Sequence, residues 1–123
     1  MHRSRLCGFI VDCKTDSLDT AAHFWSQALG MARAGRNGDT YERLDASARD
    51  LDIEVQQVFH ESRVHLDIET DDIEAEVARL EALGSKRIEA LKSWVVMEAP
   101  TGQRFCVVRG RDLEQKRGVN TWG

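Results

Sequence analysis

A chain of 123 residues is long enough to bury one core and too short to divide comfortably into two. Apolar residues make up 41% and charged residues 31%, which excludes a disordered tail, and no apolar run approaches the roughly 20 residues of a membrane span. Basic side chains number 17 against 21 acidic ones, and the only basic-leaning stretch, Arg104 to Arg117, is broken by Asp112 and Glu114, so nucleic acid is not an expected partner.

The opening Met1-His2-Arg3-Ser4-Arg5 lacks the apolar stretch and small-residue cleavage site of a secretory signal. Cys7, Cys13 and Cys106 form an odd set with no disulfide framework, and reduced thiols fit the expected cytoplasmic location. Leu6 to Cys13 is rich in strand formers. A helix follows over 17–29, capped by Asp16 or Ser17 and stopped by Gly30, with Leu18, Ala22, Trp25 and Leu29 as its apolar stripe. His2 is expected to be disordered, His23 to face solvent, and Phe24 and Trp25 to pack between helix and sheet. Three strands come next: a weak one at 31–34, then 41–44 and 51–58.

Arg63 to Glu69 alternates apolar and polar residues as a strand does. A second helix is expected from about Asp72 to Leu83, with Asp71 as its cap and Glu74 completing a capping box. Its stripe is Ile73, Val77, Leu80 and Leu83, while Glu74, Glu76, Arg79 and Glu81 read as a solvated face. Strands at 87–91, 94–97 and 104–108 follow, the last two joined by a turn at Pro100-Thr101-Gly102-Gln103. Gly30 and Gly84 stand 54 residues apart, as do Ser17 and Asp71. The chain therefore reads as βαβββ twice, an internal repeat. From residue 110 to 123 the pattern fades into an exposed tail or short packing arm, with a turn of helix near Asp112 to Lys116.

Paired βαβββ modules, the helix end Phe24-Trp25-Ser26-Gln27-Ala28-Leu29-Gly30 and the late Ala99-Pro100-Thr101-Gly102-Gln103-Arg104-Phe105-Cys106-Val107-Val108 resemble the vicinal oxygen chelate superfamily. Val55-Gln56-Gln57-Val58, Val64-His65-Leu66-Asp67 and Glu74 to Leu80 are similar to its glyoxalase-like subfamily. The resemblance implies an α+β fold over residues 6–109, with module one at about 6–58 and module two at about 63–109. Curved mixed sheets would carry helices on the convex side and surround a small-molecule cavity on the other, and the protein would be a homodimer. Metal-dependent relatives hold a divalent ion with side chains from the first, fourth, fifth and eighth strands.

Carried onto this sequence, those positions fall at Gly8, Glu54 or (after a two-residue slip) Gln56, His65 and Cys106. Glycine offers no ligand atom, and at most one carboxylate remains where magnesium or manganese would want several. Zinc accepts carboxylate, imidazole and thiolate, so His65 and Glu54 stand as the metal candidates, while a metal-free pocket is the favoured reading. Strand alternation turns Gly8, Ile10 and Asp12 toward the cavity and Phe9 and Val11 away from it.

His65 is then the candidate catalytic residue, a general base for proton abstraction next to a carbonyl, or else a neutral histidine bonded to a neighbour such as Glu54 or Asp67. Asp12, Gln56, Asp67, Trp94 and Cys106 are the candidate substrate contacts. The expected function is small-molecule binding with lyase or isomerase chemistry through an enolate-type intermediate. The alternative is a non-catalytic, drug-sequestering binder of the bleomycin-resistance type, its cavity lined by Ile10, Trp94 and Val96.

Overall fold

The computed structural model describes residues Met1–Gly123. Its first strand, β1 (His2–Lys14), and its fifth, β5 (Arg63–Thr70), each run through two compact units, Gly8–His65 and Met1–Cys7 with Leu66–Gly123.

In the unit Gly8–His65, helix α1 (Leu18–Leu29) is followed by β2 (Arg33–Arg36), β3 (Tyr41–Leu44) and β4 (Asp52–Val58). Ser17 caps α1 by accepting from the Thr20 amide, and Gly30 ends it in the left-handed region at φ 67°, where a residue without Cβ is favoured. The strands lie in the order β2-β3-β4-β1, with β1 and β4 parallel and the other pairs antiparallel. One face of this sheet packs on α1: Phe9, Cys13, Ile53, Val55 and Leu44 meet Leu18, Ala21 and Trp25. Burial pushes the Cys13 thiol up despite a hydrogen bond with Trp25, as suits a packing residue. Phe24 is 58% exposed, contrary to its expected place in the core, and makes a T-shaped contact with Trp25; Leu29 is also exposed.

The second unit repeats the topology. Helix α2 (Ile73–Ala82), β6 (Lys86–Ala90), β7 (Trp94–Glu98) and β8 (Arg104–Arg109) follow β5, in the order β5-β8-β7-β6 with β5 and β8 parallel. Val77 and Leu80 of α2 pack on Val95, Met97, Phe105 and Val107. The cap of α2 is Asp72, accepting from the Ala75 amide, and not Asp71, which instead accepts from the Arg3 amide. Glu74 forms no capping box; it pairs with Arg87 of β6. Leu83 lies past the helix end and is exposed.

The largest departure from the periodicity reading is Glu76, which is fully buried instead of solvated. Its cover comes from the chain ends: His2 Nε2 lies 2.8 Å from Oε1, and β9 (Asn120–Trp122) pairs with His2–Ser4. Trp122 reaches Ser4 Oγ and stacks under the Arg79 guanidinium, which forks onto both Glu76 oxygens. His2 is therefore an ordered strand residue. The segment before β9 contains a 3₁₀ turn (Leu113–Gln115) whose Leu113 is buried, and Lys116 binds both oxygens of buried Glu69.

Burial pushes the Glu76 carboxyl up, but hydrogen bonds from Arg79, His2 and Ser4 outweigh it and hold it at about 2, below the ordinary 4.5. A depressed carboxyl stabilises the fold above its unfolded value, and that stability goes as pH falls through 4.5 toward about 2. The loss expected from this group is about 3 kcal/mol. Acid unfolding monitored by circular dichroism should lose this component in Glu76→Gln, whose stability should change less than the wild type's over that window. An unaltered acid limb would contradict it.

Candidate functional site

The face of the Gly8–His65 sheet opposite α1 carries the chemistry. Register places Tyr41 beside Gln56 and Gln56 beside Asp12, and Asp12 Oδ2 lies 2.9 Å from His65 Nδ1. Tyr41, Gln56, Asp12 and His65 thus form one polar row across the strands. The neighbouring row is Arg43, Glu54 and Ile10. Gln56 stands beside Asp12, while Glu54 is one row away and accepts from Asn37 Nδ2 at 3.0 Å.

Asp12 is 2% exposed. Its Oδ2 meets His65 and, at 3.6 Å, Arg63 Nε, whereas its Oδ1 is buried with no hydrogen-bond partner. An unsatisfied buried carboxylate oxygen costs on the order of 1–3 kcal/mol, and such costs concentrate where a site requires them. A carboxylate accepts, so in this contact His65 presents Nδ1–H to Asp12. Asp12 is thereby enclosed and engaged by histidine, where strand alternation alone pictured a substrate contact. His65 is nearly buried, its side chain 14% exposed.

In the other unit, Asp67 of β5 pairs in register with Cys106 of β8, and Cys106 with Val96 of β7. The row that corresponds to Tyr41, Gln56 and Asp12 is therefore Val96, Cys106 and Asp67, mostly apolar. Trp94 pairs with Val108 and is 39% exposed. The repeat kept its topology in both halves and its polar row in one.

The family's metal positions fail a direct test at Gly8. A Cβ built there would lie 1.7 Å from the Asp52 carbonyl oxygen, so β4 occupies the space any ligand side chain would need. Glu54 is engaged by Asn37, and the Nδ1 of His65 by Asp12. His65 offers imidazole in this unit, and in the other Asp67 and Cys106 offer one carboxylate and one thiolate, which is not what a hard, oxygen-preferring ion wants. The four family positions do not fit a hard divalent metal.

Two residues of this face escaped the sequence reading. Tyr41 became visible only through the β3–β4 register, and Arg63 through its distance to Asp12. The spacing Arg63-Val64-His65 did carry a signal, since residues two apart on a strand share a face.

Two βαβββ units, each closing a parallel pair between its first and last strands, define a fold of the vicinal oxygen chelate type. Residues 8–108 match the model of the glyoxalase-like domain family, and the chain belongs to that family. No curated protein sequence matches it. Similar solved structures include a hypothetical protein from Bacillus halodurans C-125, 12% identical with a TM-score of 0.65, covering 89% of this chain and 96% of that one. A methylmalonyl-CoA epimerase from Mycobacterium tuberculosis is 15% identical with a TM-score of 0.65, over 85% and 87% of the chains. A Mn(II)-bound glyoxalase from Novosphingobium aromaticivorans is 18% identical with a TM-score of 0.62, over 86% of this chain and 40% of that one. Identities this low establish the fold alone. No helix is long and apolar enough to cross a membrane.

Proposed function

We propose that this glyoxalase-like protein is a lyase or isomerase that removes a proton next to the carbonyl group of a small molecule. The observation that carries the reading is the Asp12–His65 pair, a buried carboxylate spent on fixing one imidazole nitrogen. The His65 imidazole takes the proton, and the C–H electron pair moves toward the carbonyl, whose oxygen becomes an enolate. The Gln56 amide, half-buried beside Asp12, donates a hydrogen bond to that oxygen. Asp12 compensates the imidazolium that forms. Returning the proton to either face or to a neighbouring carbon completes an isomerisation; expulsion of a leaving group completes a lyase reaction. Asp67, Cys106 and Trp94 are proposed as further substrate contacts, and a homodimer as the working form.

Solvent deuterium exchange into a panel of carbonyl compounds, followed by proton NMR, tests the reading. The wild type should exchange the acidic C–H of at least one compound, and His65→Ala should slow it by about 10²- to 10⁴-fold while remaining folded. Equal exchange by wild type and variant would contradict it. A protein that only sequesters ligands would bind members of the panel with no exchange at all.

A further inference from the structure

Two basic side chains, Arg63 and Lys14, stand at the end of the polar row that carries His65. Arg63 begins β5 two residues before His65, and both side chains converge on Asp12 Oδ2, His65 at 2.9 Å and Arg63 at 3.6 Å. The Arg63 distance lies beyond hydrogen-bond reach, and the side chain is 49% exposed. Its guanidinium, with five N–H donors in a planar fork, therefore stands beside the Asp12–His65 pair with its donors unspent on Asp12. Lys14, two residues beyond Asp12 on the same face of β1, adds a second positive group, its ammonium 2.8 Å from the highly exposed Glu61.

We propose that the substrate of this site is a carboxylate, and that Arg63 binds its anionic group beside His65. This rests on the proton-transfer reading and narrows it to carbonyl compounds bearing a carboxylate within reach of the acidic C–H. The placement supplies what the chemistry lacks. Charge builds on the substrate's oxygens as the proton leaves, Gly8 excludes the family's ligand from the face, and a guanidinium fork suits two coplanar oxygens bidentately. Arg63 is a specificity-determining residue in this arrangement, while Asp12 keeps it oriented without consuming its donors.

Oxalate and its neutral isostere oxamide are the probes, titrated against the full-length protein and followed by the ring resonances of His65. Oxalate should bind in the millimolar range or tighter and oxamide should not. Arg63→Gln should weaken oxalate by about tenfold to a hundredfold, with Arg63→Lys between the two. Equal affinity for oxamide, unaltered oxalate binding in Arg63→Gln, or no oxalate binding in the millimolar range would each overturn the assignment. The readout involves no proton transfer, so exchange lost or kept in His65 variants leaves this result separately decided.

Discussion

Gly8→Ala is expected to destabilise the protein by about 3 kcal/mol or more, measured by urea unfolding of the two forms. The cause is a single methyl group meeting backbone. The Cβ would stand 1.7 Å from the Asp52 carbonyl oxygen and 2.6 Å from its carbonyl carbon, and Gly8 and Asp52 are partners in the β1–β4 register. A flexible side chain could rotate away, but the start of β4 cannot move without disturbing the register that sets Gln56 beside Asp12. Gly8→His, which would restore the family's ligand type, should be at least as damaging. A variant within about 0.5 kcal/mol of wild type would show that β4 yields easily and that the metal position is not closed by packing.

The second large effect falls on rate. Asp12→Asn replaces the carboxylate with a group of the same shape that can turn its NH₂ toward the imidazole. Nδ1 would then accept instead of donate, the ring proton would move to Nε2, and the base would be blocked. Exchange should fall by about 10²- to 10⁴-fold, with the loss in kcat more than in KM because in the proposed chemistry Asp12 acts through His65. Stability should be unchanged or higher, since a buried charge with one unsatisfied oxygen has been removed. Full activity in Asp12→Asn would reduce the pair to a structural contact.

Much of the fold was legible because the signals are local. Ser17 and Gly30 mark one helix, Asp72 and Gly84 the other, and the second cap lies one residue later than the Asp71 expected from the sequence. Alternation assigned Phe9 to the helix-facing side, as it is found. What stayed hidden depends on residues far apart in the chain. Glu76 looks solvated on its own helix and is buried only because His2, Ser4 and Trp122 return over it. Val64 and Leu66 alternate as core residues should, yet each is at least half exposed.

The site divides in the same way. His65 and Gln56 could be picked out by residue type and strand parity, but the bond from His65 to Asp12 spans 53 positions. Side-chain alternation gives a face and not a partner, so it turned Asp12 toward the cavity without showing its bond to His65. Glu54 and Gln56 could not be separated until the β1–β4 register set one of them beside Asp12. Arg63 drew no attention because a single arginine opening a strand is an ordinary solubilising residue until its distance to a buried carboxylate is known.

The protonation of the His65 ring tests the account most directly. Nitrogen-15 NMR of the unliganded protein, at a pH where the imidazole is neutral, should show the proton on Nδ1 and an unprotonated Nε2, and Asp12→Asn should lose that preference. A neutral ring carrying its proton on Nε2 in the wild type would mean that Asp12 does not prepare a base, and the proposed chemistry would fail with it.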